Sequence, residues 1–380
     1  MSENLGNNIN KSLNNINIGK EDKLDRNLNF WDLSFAGYSL IVGAGIFTLM
    51  GFIINHSKGY TWMAFIVGGI ISILTGFSFI RLNMEYPVND AEYSWFKGII
   101  GDKHVGENNK LSNSLRNKFA KGGAFILIWI VMICVISSIA TVSTGMKDFL
   151  KLLGVNFNQY LVIFLAIFVP TFINIIGTKF TSGLNKIIMT GITLLFISII
   201  AISTKNHKYS NEINFFNHPA KENLTNITKG AFVSIFAFFG FQGLVQMSEE
   251  TDNKENVAKA MASSISFSTL LYVVISISII SIIGLKNAAK NGAPFSQSFA
   301  IVAGTRGRDI TTFMSTVCMF STILFSILGG SRLLKKFAEL GIAPDYLKKI
   351  SDVPKYFKKI LYIKENPYIL FVGTRWKYKN

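Results

Sequence analysis

The sequence predicts an all-α protein that crosses a membrane about eight times, and three observations support this fold class. Apolar residues make up 49% of the 380 positions, whereas charged residues make up only 16%. The charges are unevenly spaced and leave eight uncharged stretches of 18 to 27 residues. Each stretch is close to the roughly 20 residues that a bilayer-spanning helix needs, and longer than the helices of about 11 residues typical of soluble proteins. A soluble enzyme or DNA-binding domain is therefore excluded.

The predicted spans follow one another along most of the chain. They cover residues 33–55, 59–80, 122–146, 152–178, 187–204, 230–248, 260–285 and 310–331. Before them, residues 1–32 form an Asn-rich head that we expect to be disordered and cytoplasmic; it lacks the apolar core of a signal peptide. Residues 33–331 are the predicted membrane domain, and residues 332–380 a basic cytoplasmic tail.

The positive charge of the chain sets the predicted orientation. With a cytoplasmic N-terminus, 27 Lys and Arg residues lie on the inner side and 11 on the outer side. Without the tail the counts are 15 and 11. The positive-inside rule therefore places both termini in the cytoplasm. The net charge of +16 does not indicate nucleic-acid binding, because the basic residues lie between spans rather than on one compact face.

Two connecting segments carry their own helical signals. The long connection 81–121 contains an aromatic amphipathic piece, Tyr86 to Phe96, which predicts a helix lying on the membrane surface. Between the seventh and eighth spans, Asn291 to Thr305 is uncharged but only 15 residues long. That is too short to cross a bilayer, so we expect an external interfacial or re-entrant helix there.

The side chains that usually carry metal or covalent chemistry are scattered. Cys134 and Cys318 fall inside predicted spans, where the ordinary interpretation is a small buried apolar side chain. The four histidines lie in loops without a carboxylate or cysteine at ligand spacing. The sequence thus predicts no metal site, no cofactor and no catalytic group. Glu249 and Glu250 are either a gate or metal pair or, as the preferred interpretation, solvated acids at a helix end.

The strongest functional signal is a glycine string in two corresponding spans. The first span contains Gly43-Ala44-Gly45-Ile46-Phe47, and the sixth contains Phe239-Gly240-Phe241-Gln242-Gly243. Gly43 and Gly240 are each the eleventh residue of their uncharged stretch. Equivalent interruptions in two halves are typical of inverted-repeat transporters, whose broken helices form the substrate site. We therefore predict that the first and sixth helices are discontinuous.

A broken helix would offer backbone groups to a zwitterion. The N–H groups of Gly43, Ala44, Gly45 and Ile46 would bind a carboxylate, and the carbonyls of Phe238, Phe239 and Gly240 would bind an amine. Phe241 and Gln242 are candidates for the side-chain pocket or gate. The competing interpretation is that the glycines allow close helix packing, which is common in membranes, and that Phe241 and Gln242 are held within the bundle.

Several motifs in order resemble the amino acid, polyamine and organocation (APC) permease superfamily, in particular its cationic amino acid transporter-like branch. The resemblance spans roughly residues 28 to 373. It rests on Trp31-Asp32 with Gly37 and the Gly43–Phe47 string, Tyr86-Pro87-Val88 with Ala91 and Tyr93-Ser94, Phe236 to Phe241 with Glu249-Glu250-Thr251, Ala293-Pro294-Phe295, and Gly330-Ser331-Arg332 with Gly341 and Pro344.

This resemblance implies a leucine-transporter-like fold of five plus five inverted helices with two more appended, which moves amino acids by alternating access. Two departures narrow the expectation. Gln242 stands where many relatives carry an acid, which argues against direct recognition of a cationic side chain there. Ile192 stands where proton-coupled relatives place a lysine, so proton coupling through that position is not supported.

The resemblance ends inside an apparent ninth span, Asn366 to Gly373, after which the sequence becomes polar and basic. We therefore expect an incomplete bundle of about eight helices, without the family's spans 9 to 12. The leading hypothesis is an amino acid carrier, or a truncated derivative of one, embedded in a lipid bilayer. The alternative is a non-transporting amino acid sensor or an inactive product of a damaged permease gene. The oligomeric state is left open.

Overall fold

A computed structural model of the chain describes residues 28–86, 88, 91–102, 110–215, 221–251 and 253–348. Within these ranges the chain folds into helices and contains no β-strand. The head up to residue 27, the tail beyond residue 348 and the apparent ninth span lie outside the described residues. The fold is thus all-α, as predicted.

Ten α-helices follow one another in the described part of the chain. They are α1 (Phe30–Ser57), α2 (Thr61–Glu85), α3 (Ala91–Lys97), α4 (Lys110–Leu152), α5 (Gln159–Ile176), α6 (Thr178–Lys205), α7 (Lys221–Phe238), α8 (Lys254–Ile283), α9 (Leu285–Lys290) and α10 (Pro294–Glu339). A 3₁₀ turn, Lys58–Tyr60, joins α1 to α2. A 3₁₀ segment, Phe241–Glu250, follows α7.

The predicted number of spans agrees with the helices. Seven helical stretches of the described residues are long and apolar enough to cross a membrane, and the first of them is Gly45–Glu85. As one continuous helix, its 41 residues would measure about 60 Å, twice the thickness of the hydrocarbon core. The break at Lys58, where φ is 50°, divides it between α1 and α2. The chain is thus an integral, multi-pass membrane protein, and its described residues include eight helical segments of spanning length.

Helix starts follow from side-chain caps that the sequence encodes. The Asn29 side chain accepts from the Asp32 amide at 3.0 Å, and the Asp32 carboxylate accepts from the Asn29 amide at 3.0 Å. This reciprocal capping box satisfies two N–H groups that the first turn of α1 leaves unpaired. Asn158 and Asn253 cap α5 and α8 in the simpler one-sided way.

The centre of the bundle is formed by α1, α2, α7 and α8, which pack closely through small residues. Gly68 and Gly69 of α2 lie directly against Ser234 of α7 and Thr269 of α8. Membrane helices associate through such small side chains, because lipid supplies little hydrophobic driving force between them. α10 packs against α1, α4, α5 and α6, so it closes the opposite side of the bundle.

The two connecting segments differ partly from expectation. The predicted surface helix at Tyr86 to Phe96 is shorter, because α2 continues to Glu85 and α3 begins at Ala91. Its Trp95 is buried and contacts the Phe79 ring, with the two ring centroids 5.4 Å apart, so α3 packs on protein. The segment after Asn291 is helical from Pro294, and the non-helical Gly304 (φ 64°, ψ −158°) separates it from the rest of α10.

Candidate functional site

The two glycine strings meet where α1 crosses α7. A Cβ atom on Gly45 would lie 2.7 Å from the Ala237 carbonyl oxygen, and one on Gly240 would meet the backbone carbonyl of Leu40. Real Cβ atoms do not approach this closely, so both contacts require glycine. The predicted pairing of the first and sixth spans is therefore present, with backbone lying directly on backbone.

The predicted break in the sixth span is confirmed. α7 ends at Phe238, and a 3₁₀ segment begins at Phe241. Between them Gly240 has φ 130° and ψ −27°, a conformation that residues with a side chain rarely adopt. The helix therefore stops and restarts at the position that the glycine marked.

The predicted break in the first span is wrong. α1 is one continuous helix from Phe30 to Ser57 and passes through Gly43, Ala44, Gly45 and Ile46. In a continuous α-helix each N–H donates to the carbonyl four residues earlier, so these four N–H groups are not offered to a carboxylate. The competing interpretation holds here: Gly43 lies against the Thr322 side chain of α10, and Gly45 against Ala237.

Side chains satisfy the backbone groups that the α7 break sets free. The Gly240 N–H donates to Gln242 Oε1 at 3.0 Å. The Tyr272 hydroxyl of α8 lies 3.1 Å from the Ala237 carbonyl oxygen and 3.0 Å from the Ile41 carbonyl oxygen of α1. Unpaired backbone groups are strongly disfavoured inside a membrane, so Gln242 and Tyr272 stabilise the break.

The predicted site side chains are not all directed toward the crossing. Phe238 is fully buried with its ring centroid 5.1 Å from that of Tyr272, whereas Phe239 is 54% exposed on the outside of the bundle. Phe241 is buried against the Phe79 ring. Ile46 is buried in the core. The crossing thus brings together backbone of the two strings and Gln242, but not the aromatic side chains as one pocket.

Sequence reasoning missed a polar cluster between α1, α6 and α10. Asn185 Oδ1 accepts from the Ser321 hydroxyl at 2.6 Å, and the Thr322 hydroxyl donates to the Ser39 carbonyl at 2.9 Å. The Ser39 hydroxyl and the Asn185 amide nitrogen are buried without a hydrogen-bond partner among the described residues. The spacing of Ser182 and Asn185, which places them on one face of α6, was the available signal.

Two ion pairs close the end of the bundle where α1 begins. Lys186 Nζ of α6 lies 2.5 Å from Asp32 Oδ1 of α1. Arg332 Nε of α10 lies 2.5 Å from Glu250 Oε1, and Glu250 is 1% exposed. The preferred interpretation of Glu250 as a solvated acid is therefore wrong, because Arg332 provides the counter-charge that allows its burial.

A cavity of about 440 Å³ lies between α1, α6 and α8, away from the crossing. Its lining is mainly apolar and includes Trp31, Tyr38, Leu194 and Phe267. Trp31, Leu194 and Phe267 are 63%, 61% and 42% exposed, so the cavity opens on the outer surface of the bundle. We therefore place the candidate site at the crossing, where backbone polar groups lie in the interior.

Comparison with protein families identifies the chain. The model of the family described as "Amino acid permease" matches residues 28–360, which includes every described helix. The chain belongs to the amino acid permease family. The match begins just before the α1 capping box and covers both glycine strings, so both sides of the crossing lie within the matched residues.

Curated relatives of this permease-family chain are distant in sequence but similar over most of its length. It is 22% identical to cationic amino acid transporter 1 of Arabidopsis thaliana, over 89% of this chain and 56% of the relative. It is 23% identical to the branched-chain amino acid permease BcaP of Bacillus subtilis (strain 168), over 93% and 74%. The methylthioribose transporter of the same bacterium is 22% identical, over 87% and 71%. The chain therefore spans little more than half the length of the plant relative.

Proposed function

We propose that this chain binds an amino acid at the crossing of α1 and α7 and carries it across the membrane by alternating access. The observation that carries this proposal is the break at Gly240. It places backbone N–H and carbonyl groups that lack their helical partners in the interior of an apolar bundle. Such breaks are tolerated in membranes where they line a cavity or a ligand site. Family membership and the named activities of the relatives support the same function.

The groups at the break suggest how an amino acid would be held. We infer that its carboxylate accepts a hydrogen bond from the Gly240 N–H. To do so it displaces the Gln242 amide oxygen, which accepts from that N–H at 3.0 Å in the structure. The carbonyls of Phe238 and Phe239 would accept from its ammonium group. The glycines of α1 contribute shape rather than N–H groups, since Gly45 leaves the face of α1 toward α7 without a side chain, and Gly43 does the same for the face toward α10.

The side chain of the substrate is proposed to be neutral. Gln242 carries no charge. Of the three buried acids among the described residues, Asp32 and Glu250 are paired with Lys186 and Arg332, and Glu92 lies on α3, which packs against α4. A cationic side chain would therefore lack a free partner there. The uncharged surroundings of the crossing therefore suit a branched-chain amino acid better than lysine or arginine.

Transport would require α1 and α7 to separate, because Gly45 and Gly240 now lie against the opposite backbone. The Asp32–Lys186 and Glu250–Arg332 pairs would break when the end at which α1 begins opens. We propose that this end faces the cytoplasm, that residues 1–32 and 332–380 lie there with both termini, and that residues 33–331 form the membrane domain. Tags at Met1 and Asn380 should then be protease-protected in intact cells, and a tag within 205–229 should be accessible.

The experiment that tests the function uses the full chain, purified and reconstituted in vesicles. Binding and uptake of labelled leucine, isoleucine, valine, lysine and arginine are measured beside the Gly45→Leu variant. We expect saturable uptake of the branched-chain amino acids, and loss of their binding in Gly45→Leu at matched membrane levels, because a large side chain would occupy the crossing. Binding without flux would indicate a sensor, and unchanged binding in Gly45→Leu would place the substrate elsewhere.

A further inference from the structure

Tyr272 is a fully buried residue of α8 whose hydroxyl reaches both helices of the crossing. Its oxygen lies 3.0 Å from the Ile41 carbonyl oxygen of α1 and 3.1 Å from the Ala237 carbonyl oxygen of α7. Its ring is held by contacts with Phe65 and Phe238, with centroids 5.3 and 5.1 Å away. The ring position therefore fixes where the hydroxyl points.

The Ala237 carbonyl is the acceptor that an unbroken α7 would give to the Phe241 N–H, four residues later. In the structure this carbonyl accepts from Tyr272 instead. The Gly240 N–H, which would pair with Phe236 in an unbroken helix, donates to Gln242. Two of the bonds that an unbroken helix would make across the break are thus replaced by bonds to side chains.

We propose that Tyr272 is a positioning residue for amino acid binding: its hydroxyl keeps α7 from rewinding and fixes the broken segment against α1. This role rests on the proposed function. A hydroxyl has one proton to donate, and its two acceptors are at nearly equal distances, so it is shared between α1 and α7. Tyr272 therefore couples the position of one helix to that of the other at the site where substrate binds.

Tyr38 provides a matched control. Its hydroxyl is also within the bundle and lies 3.2 Å from Thr193 Oγ1, a side-chain partner on α6 rather than a backbone group of the break. It is also nearly fully buried. Replacing either tyrosine with phenylalanine removes one buried hydroxyl and keeps the ring. Tyr272→Phe removes the donor to two backbone carbonyls at the crossing, whereas Tyr38→Phe removes only a partner of the Thr193 side chain.

The test measures the affinity of the reconstituted full chain for L-leucine and its thermal unfolding midpoint, for the unmodified protein, Tyr272→Phe and Tyr38→Phe. We expect the dissociation constant to rise about tenfold in Tyr272→Phe, as for a buried carbonyl left unsatisfied, and less than about twofold in Tyr38→Phe. Incorporation of 3-fluorotyrosine at position 272, which retains the hydroxyl, should restore affinity.

Each other result has a distinct meaning. Unchanged affinity in Tyr272→Phe, or an equal loss in both variants, would overturn the positioning role while leaving amino acid binding intact. Failure of Tyr272→Phe alone to fold would make the hydroxyl structural and would also overturn it. Absence of binding to any of the five amino acids by the unmodified chain would overturn the proposed function and, with it, this role.

Discussion

α1 and α7 carry similar glycine strings and contact each other at them, but they differ in backbone conformation. α1 is helical through Gly45, whereas α7 stops before Gly240. Two positions after Gly45 of α1 is Phe47, and two positions after Gly240 is Gln242, which lies in the 3₁₀ segment that follows α7. Gln242 can accept from the freed N–H, and Phe47 cannot. The comparison teaches that glycine permits a break in a membrane helix, while a nearby polar partner for the freed groups determines whether the break forms.

The largest expected effect is that of Gly240→Ala. Two effects would act together in this variant. The backbone conformation at position 240 is unfavourable for a residue with a side chain, and the new methyl group would overlap the Leu40 backbone, which cannot move aside locally. We expect a loss of about 3 kcal/mol or more in unfolding free energy, measured by thermal or denaturant unfolding of the purified chain.

Gly154→Ala is the control for Gly240→Ala. Gly154 also has a positive φ, 80°, but a Cβ there would meet nothing within 4 Å. Its substitution should destabilise the chain by only about 1 kcal/mol. Equal effects of the two variants would show that the contact with α1 contributes nothing.

A smaller effect is expected for Gly43→Ala, because the opposing group is a side chain. The new methyl group would overlap Thr322, with an expected loss of about 1–3 kcal/mol. Thr322→Gly in the same chain should recover at least half of that loss, as a double-mutant cycle would measure. Gly183→Ala in α6, where no atom lies within 4 Å, should be neutral or slightly stabilising. Lack of recovery would mean that α1 itself, rather than its packing, requires the glycine.

The smallest expected effect is that of Gln242→Met, which places an apolar side chain two positions after Gly240, as Phe47 stands two positions after Gly45. The Gly240 N–H would lose its acceptor, with an expected loss of about 1–2 kcal/mol in unfolding free energy. Gln159→Met removes an exposed amide that accepts from Lys147 and should change stability by less than about 0.5 kcal/mol. Equal stability of both variants would exclude Gln242 as the partner that stabilises the break.

The spans could be predicted from the sequence because a bilayer limits where charges occur, and eight uncharged stretches became eight helical segments. Whether α1 is continuous or broken could not be predicted from the sequence. A glycine in a helix is disfavoured by only about 1 kcal/mol relative to alanine, so packing against Thr322 decides whether the helix continues. The burial of Glu250 was equally hidden, because its partner Arg332 is 82 residues away in sequence. Long-range partners, unlike periodicity, leave no local pattern.

The central claim is that an intact α1 crosses a broken α7, and amide hydrogen exchange of the purified full chain tests it most directly. Peptides that resolve residues 43–46 and 239–241 are compared in the same sample. The account predicts that the amides of 43–46 exchange at least about tenfold more slowly than those of 239–241, because only the former lie in a continuous helical ladder. Equally rapid exchange in both segments would contradict it and restore two symmetrical breaks.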